Sequence, residues 1–319
     1  MCDACPEYSF VLPAYNEEAN LEAMTVRLIG VGQKLAGDFE ILWINDGSAD
    51  GSAEILDRIA KQYPQVRPVH LSRNFGHMAA LTAGLECARA SKAVITLDAD
   101  GQHPPELIPK MVKKWREGAD IVQTIRESTP SETALKRMTS RGFYRVFSFL
   151  GETPIPEGAA DFRLLDRAVV DTINGLPERV RFLRGLVHWV GFAMTTIPYQ
   201  AEKRSAGVTK YSSFKMLALA LSGIVSFSIR PLRLAFFLGV GLTFMAFLYA
   251  LYILYCYLTG VELVPGWTSM LLALLVLSGV QLLTIGIASE YLAQLFLEQK
   301  HRPIYIVRSA NLRNQHDGE

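Results

Sequence analysis

Asp98 and Asp100 stand one residue apart in LDADGQHPPEL, directly after the apolar run Ala93–Leu97. Two carboxylates so spaced in an extended loop can approach one hard cation while substrate phosphates complete its octahedral shell. Gln102 can add a neutral oxygen to the same site. Helix capping is the competing use, because Asp100 precedes Pro104-Pro105 and a helical stretch. Asp46, in NDGSADGS, offers a carboxylate that can accept from a nucleobase N–H, although Asp-Gly is also a turn signal. No GxGxxG follows the first apolar run, which disfavours a dinucleotide-dependent dehydrogenase, and the absence of GxxxxGK[ST] excludes a P-loop.

These loops need a scaffold, and the first 125 residues supply a pattern for one. Tyr8–Leu12, Phe39–Ile44, Val66–Leu71, Ala93–Leu97 and Asp120–Thr124 are short apolar runs rich in β-branched residues. Helical stretches at about 17–36, 50–63, 76–90 and 104–118 separate them. Such alternation predicts a mainly parallel α/β sheet with helices on both faces. Ligands bind such sheets beyond the carboxyl ends of the strands. The residues found there are polar: PAYNE, NDGS, SRNFG and DADGQ after the first four runs.

The 319 residues carry 32 Lys and Arg against 31 Asp and Glu, a net charge of +1. No basic field favours nucleic acid as a partner. Four scattered cysteines do not make a disulfide framework, and Cys2 and Cys5 lack the further ligands of a zinc site, so a reducing cytosolic face is expected. The acidic start of the chain is not a signal-peptide pattern.

Two uncharged stretches, Leu234–Val261 and Leu263–Ser289, are separated by Glu262 alone. Each exceeds the roughly 20 residues that a helix needs to cross a bilayer, so a two-helix transmembrane hairpin is predicted. Lys203, Arg204, Lys210, Lys215, Arg230 and Arg233 precede it, and Lys300, Arg302 and Arg308 follow. The connecting loop has no Lys or Arg, which puts both termini on the cytoplasmic side. The short uncharged stretch Met216–Ile229 suits an interfacial helix. The expected organisation is a cytoplasmic catalytic domain over 1–200, a juxtamembrane segment over 201–233, two transmembrane helices over 234–289 and a cytoplasmic tail over 290–319.

VLPAYNEEANL, NDGSADGS, LSRNFGHMAAL and LDADGQHPPEL, in this order, resemble family-2 glycosyltransferases of the GT-A fold. GAADFRLLDR at 158–167, EKRSAGVTKYS at 202–212 and the late EYLAQLFLEQKHRPIY narrow the resemblance. They are similar to polyprenyl-phosphate glycosyltransferases, the dolichol-phosphate mannose synthases and bacterial relatives acting on undecaprenyl phosphate. That resemblance implies a nucleotide-sugar donor and a polyprenyl phosphate acceptor. It implies that Pro13, Tyr15, Glu17 and Asp46 hold the nucleoside, and that Asp98, Asp100 and Gln102 bind Mg²⁺ or Mn²⁺ against the diphosphate. Arg126 would face phosphate, Asp161 and Arg163 would sit beside the acceptor, and Arg204, Lys210 and Tyr211 would engage phosphates near the membrane. It further implies an inverting single displacement with Asp161 as base, and a homo-oligomer. Asn45, His77 and Thr209 depart from the family's commonest residues. A processive polysaccharide synthase is the nearest rival, but its QxxRW is absent. A non-catalytic nucleotide-sugar sensor has no use for an acceptor-side carboxylate. A transporter fits poorly, since neither stretch carries a charged residue and two helices leave little room for a site.

Overall fold

A computed structural model describes residues 5–127, 156, 158–179, 181–200, 228–259 and 266–308. Arg204, Lys210, Tyr211, most of the expected interfacial helix and the loop around Glu262 lie outside the described residues.

Seven strands form one sheet in the order β3-β2-β1-β4-β6-β5-β7. They are β1 Tyr8–Ala14, β2 Phe39–Asn45, β3 Val66–His70, β4 Ala93–Thr96, β5 Ile121–Arg126, β6 Ala159–Asp166 and β7 Met194–Tyr199. β1 is buried along its whole length, as expected for a parallel strand covered on both faces. Pro13 is tolerated there because the ladder to β4 ends at Val11, two residues earlier.

One face carries α1 Leu21–Gly32, α2 Ser52–Gln62 and α4 Ile108–Arg116; the other carries α3 His77–Cys87, α5 Arg167–Asn174 and α6 Leu183–Trp189. The α/β sheet expected of a GT-A domain is therefore present. One feature matters most for chemistry. β6 runs antiparallel between β4 and β5, with Thr96 opposite Arg163. Its first residues consequently meet the carboxyl ends of β1, β2 and β4.

After the sheet come α7 Arg230–Thr259 and α8 Trp267–Gln299, both long and apolar enough to cross a membrane. Their apolar side chains are exposed almost all round: Phe236 is 66% exposed and Leu258 75%. A core helix of a soluble protein would bury such a surface, whereas a bilayer solvates it. α8 continues ten residues past the expected end at Ser289, because the amphipathic stretch through Gln299 contains no Gly or Pro.

Helix–sheet contact makes two glycines behave oppositely. A Cβ on Gly84 in α3 would lie 2.2 Å from Val11 Cγ1, whereas one on Gly30 in α1 meets nothing within 4 Å. Gly84→Ala should cost about 1–3 kcal/mol by overpacking. Gly30→Ala should gain roughly 0.5–1 kcal/mol by removing a helical glycine. Thermal unfolding of the purified chain checks both signs.

Candidate active site

The polar loops meet at the carboxyl edge of β1, β2 and β4 and fasten one another. After β1, Asn16 N–H donates to Ser48 Oγ at 3.0 Å, and Asn16 Oδ1 accepts from Ala49 N–H at 2.8 Å. After β2, buried Asp46 accepts from the backbone N–H groups of Phe75 and Gly76 at 2.7 and 2.9 Å. Burial pushes the Asp46 carboxyl up, and those two hydrogen bonds oppose it. Gly47, at φ +64°, lies so close to the Arg73–Asn74 backbone that a Cβ would sit 2.3 Å from the Arg73 carbonyl carbon. Only glycine suits both demands.

Asp98 and Asp100 follow β4. The Asp98 N–H donates to His103 Nδ1 at 3.0 Å, so that nitrogen must be the unprotonated one. His103 is buried and stacks on Phe162 with ring centroids 5.3 Å apart, which pins the loop to the sheet. Asp100 Oδ1 accepts from Gln102 N–H at 3.0 Å. Among the described residues Asp98 Oδ1 is a buried oxygen without a hydrogen-bond partner, and an orphaned acceptor of this kind fits a cation. No group of three or more His, Cys, Asp or Glu able to hold a metal occurs among the described residues. Mg²⁺ asks for less, needing one or two carboxylates plus substrate phosphates. Asp98, Asp100 and Gln102 therefore fit such an ion.

The antiparallel course of β6 brings Asp161 to this loop. Its side chain is 1% exposed. Arg163 Nη2 donates to Oδ1 at 2.5 Å, and Arg184 of α6 donates from Nη2 to Oδ2 at 2.6 Å. His77, the first residue of α3, places Nε2 3.3 Å from Asp161 Oδ2 and 3.6 Å from Asp98 Oδ1. Burial opposes ionisation of Asp161, but Arg184, the hydrogen bond from His77 and Arg163 outweigh it and hold the carboxyl well below its usual range. The same contacts act in reverse on His77. Burial disfavours its charged ring, while the bond to Asp161 and the charge of Asp98 raise its pKa overall.

Most of the expected residues gather here. Pro13 is buried in β1, while Tyr15 is 37% exposed beyond it. The Glu17 carboxylate accepts from Asn20 Nδ2 at 2.7 Å. Arg126 ends β5, exposed and in register with Tyr199 of β7. Asp46, Asp98, Asp100, Gln102, Asp161 and Arg163 occupy the same sheet edge. Arg184, His77 and His103 were not foreseen as site residues. Arg184 has no signal in its own neighbourhood, RFLRGL, and only the packing of α6 on β6 brings it to Asp161.

Asp161→Asn would leave Arg163 buried without its counter-ion, which typically costs about 3–5 kcal/mol. Because the folded carboxyl is held below its ordinary value, its stabilisation is complete above about pH 4 and fades as the pH falls through the folded value. The stability gap between wild type and variant should be widest near pH 5, narrow as the pH rises through the raised His77 value, because only wild type stabilises that charged ring with Asp161, and shrink again below pH 4. Melting curves across that range measure it.

The sequence has relatives among known proteins. The model of the family described as glycosyl transferase family 2 fits residues 9–173. The chain is 41% identical to the uncharacterized glycosyltransferase YkcC of Bacillus subtilis, covering 95% of this chain and 94% of that one. It is 38% identical to the bactoprenol glucosyl transferase of Shigella phage SfV, covering 94% of this chain and 98% of the relative. Among solved structures, the mannosyltransferase PcManGT from Pyrobaculum calidifontis, in complex with GDP-Man and Mn²⁺, aligns at a TM-score of 0.48 with 19% identity, over 70% of this chain and 63% of that one. By the family match and the near full-length identity together, the chain belongs to glycosyl transferase family 2.

Proposed function

We propose that the chain moves a sugar from a UDP- or GDP-sugar to a polyprenyl phosphate at the cytoplasmic face of a membrane, with inversion at the anomeric carbon. One observation carries this reading. The Asp98–Asp100 loop faces the Asp161–Arg163–Arg184 cluster, in a chain that also holds two membrane-length apolar helices. The relatives called bactoprenol glucosyl transferase support a bactoprenol-type carrier and a hexose.

In this reading Pro13, Tyr15, Glu17 and Asp46 hold the nucleoside, and Arg126 faces the diphosphate. Asp98, Asp100 and Gln102 would hold Mg²⁺ or Mn²⁺, which when bound supplies positive charge against the departing diphosphate. An acceptor phosphate oxygen attacks the anomeric carbon, the bond to the diphosphate oxygen breaks, and the nucleoside diphosphate leaves. A phosphate monoester has a second pKa of about 6, so the acceptor is mostly dianionic near pH 7 and has little proton to lose. Asp161 then serves chiefly to aim Arg163 and Arg184. Arg184, the more exposed of the two, is the one placed to meet a phosphate. Arg204, Lys210 and Tyr211 extend the phosphate contacts at the membrane edge.

The chain divides, on this proposal, into a cytoplasmic catalytic domain over 1–200, a juxtamembrane segment over 201–233, two spans within 234–289 and a cytoplasmic tail. Both termini are cytoplasmic, and the chains assemble as a homo-oligomer.

Release of nucleoside diphosphate, measured over a panel of UDP- and GDP-sugars with and without a short-chain prenyl phosphate, tests the reaction. Turnover should require the prenyl phosphate, and donor binding without any turnover would leave a sensor instead. Excess EDTA should abolish turnover and Mg²⁺ or Mn²⁺ restore it, while Asp100→Asn should cost on the order of 10²-fold. Full activity in chelator would reject the metal. Topology has its own test. A cysteine introduced at Val264 should label from outside intact cells, and tags at either terminus should not; the reverse pattern would overturn the assigned orientation.

A further inference from the structure

Tyr199 closes β7 at the same sheet edge as the Asp98–Asp100 loop, with 6% of its surface exposed. Side chains alternate along β7, so Tyr199 shares a face with Ile197, which joins the core under α1, α2 and α4. The backbone fixes its place: Tyr199 pairs with Arg126 of β5, and its carbonyl accepts from Glu127 N–H at 2.9 Å. The ring meets Phe162 and His103 edge-on, with centroids 6.2 and 5.8 Å apart. His103 is the side chain that accepts from the Asp98 N–H, so Tyr199 flanks the Asp98–Asp100 loop.

A ring needed only for this packing could be phenylalanine, and a buried tyrosine hydroxyl ordinarily finds a partner. Among the described residues the Tyr199 hydroxyl has no hydrogen-bond partner. Its surroundings are charged instead. Burial and the charges of Asp98, Asp100 and Asp161 push the phenol up to about 12, against the opposing pull of Arg126. The phenol therefore keeps its proton and can donate it. Arg126, beside it in register, has donors and no acceptor. A sugar hydroxyl could be held by the carboxylates already present. Two donors side by side instead suit a group made of acceptors, and phosphate is such a group. A divalent cation on Asp98 and Asp100 would offset the carboxylate charge that otherwise repels it.

We propose that the Tyr199 hydroxyl donates a hydrogen bond to a phosphate oxygen of the reacting substrates, alongside Arg126, and so belongs to the residues that bind substrate. The proposal rests on the reading of the chain as a sugar transferase. Two phosphate-bearing groups then reach this edge, the donor's diphosphate and the acceptor's monophosphate, and both offer the same oxygen chemistry.

Tyr199→Phe removes the oxygen alone and keeps the ring against His103 and Phe162. Titration calorimetry of the full chain with Mg²⁺ measures affinity for UDP, GDP, a panel of UDP- and GDP-sugars and a short-chain prenyl phosphate, each added singly so that no transfer occurs. The variant should melt as wild type does. It should lose about tenfold in affinity for the nucleoside diphosphate that wild type binds, or for prenyl phosphate, the size expected of a hydrogen bond to a charged group. Loss confined to the nucleoside diphosphate puts the hydroxyl on the donor, and loss confined to prenyl phosphate puts it on the acceptor. Unchanged affinity for every probe overturns the proposal. Weaker binding of sugar nucleotides alone also overturns it, because the hydroxyl would then serve the sugar. A parallel loss for all probes with a lower melting temperature would make Tyr199 a packing residue, and overturns it too. If wild type binds neither nucleoside diphosphate nor prenyl phosphate, the sugar-transfer reading itself fails and carries this inference with it.

Discussion

A carboxylate removed from water stays ionised only when cations replace its hydration, and Asp161 is the point where this fold meets that condition. Arg163 approaches from the same strand, two residues on, and Arg184 from the helix packed above. His77 completes the shell from the start of α3. Three elements are thereby locked to one charge. The two guanidiniums are held in fixed directions beside the Asp98–Asp100 loop, and a preorganised positive site of this kind costs no reorganisation when an anion arrives.

That arrangement depends on strand direction. Were β6 parallel to β4, Asp161 would lie at the opposite edge of the sheet, more than a strand's length from Asp98. The antiparallel register instead sets Arg163 against Thr96, and Thr96 Oγ donates to the Asp161 carbonyl at 2.6 Å. Similar economy governs the other loops. Asp46 satisfies two backbone donors of the Ser72–Gly76 loop, and His103 satisfies the backbone donor of Asp98. Side chains that sequence logic assigns to a ligand also hold the shape of the site. At Asp46 each carboxylate oxygen keeps a further lone pair, so the clamp leaves acceptor capacity for a ligand.

The apolar helices and the sheet are joined by more than chain connectivity. Glu298 near the end of α8 accepts from the Arg179 backbone N–H at 2.9 Å, and the segment after α8 bridges Leu71 beyond β3. The Ser72–Gly76 loop thus carries the Asp46 clamp on one side and the tail on the other. The chain that follows the apolar helices and the Asp46 carboxylate are thereby fastened to a single loop.

Much of this was legible in the residues alone. Apolar periodicity located β1 to β5 and their helices to within a few residues, because each run is a local pattern tied to burial on both faces. The uncharged stretches marked α7 and α8 for the same reason, since bilayer thickness sets a length that can be counted. Asp98, Asp100 and Asp46 were visible because strand ends in a parallel sheet face one edge. Arg184, His77 and His103 were not, and neither was the packing of the tail on the loop after β3. Their roles arise from contacts between residues up to 236 positions apart, as in Leu71 and Val307. Spacing along the chain carries no information about such pairs; the order and direction of strands and the docking of helices on them decide which charges meet.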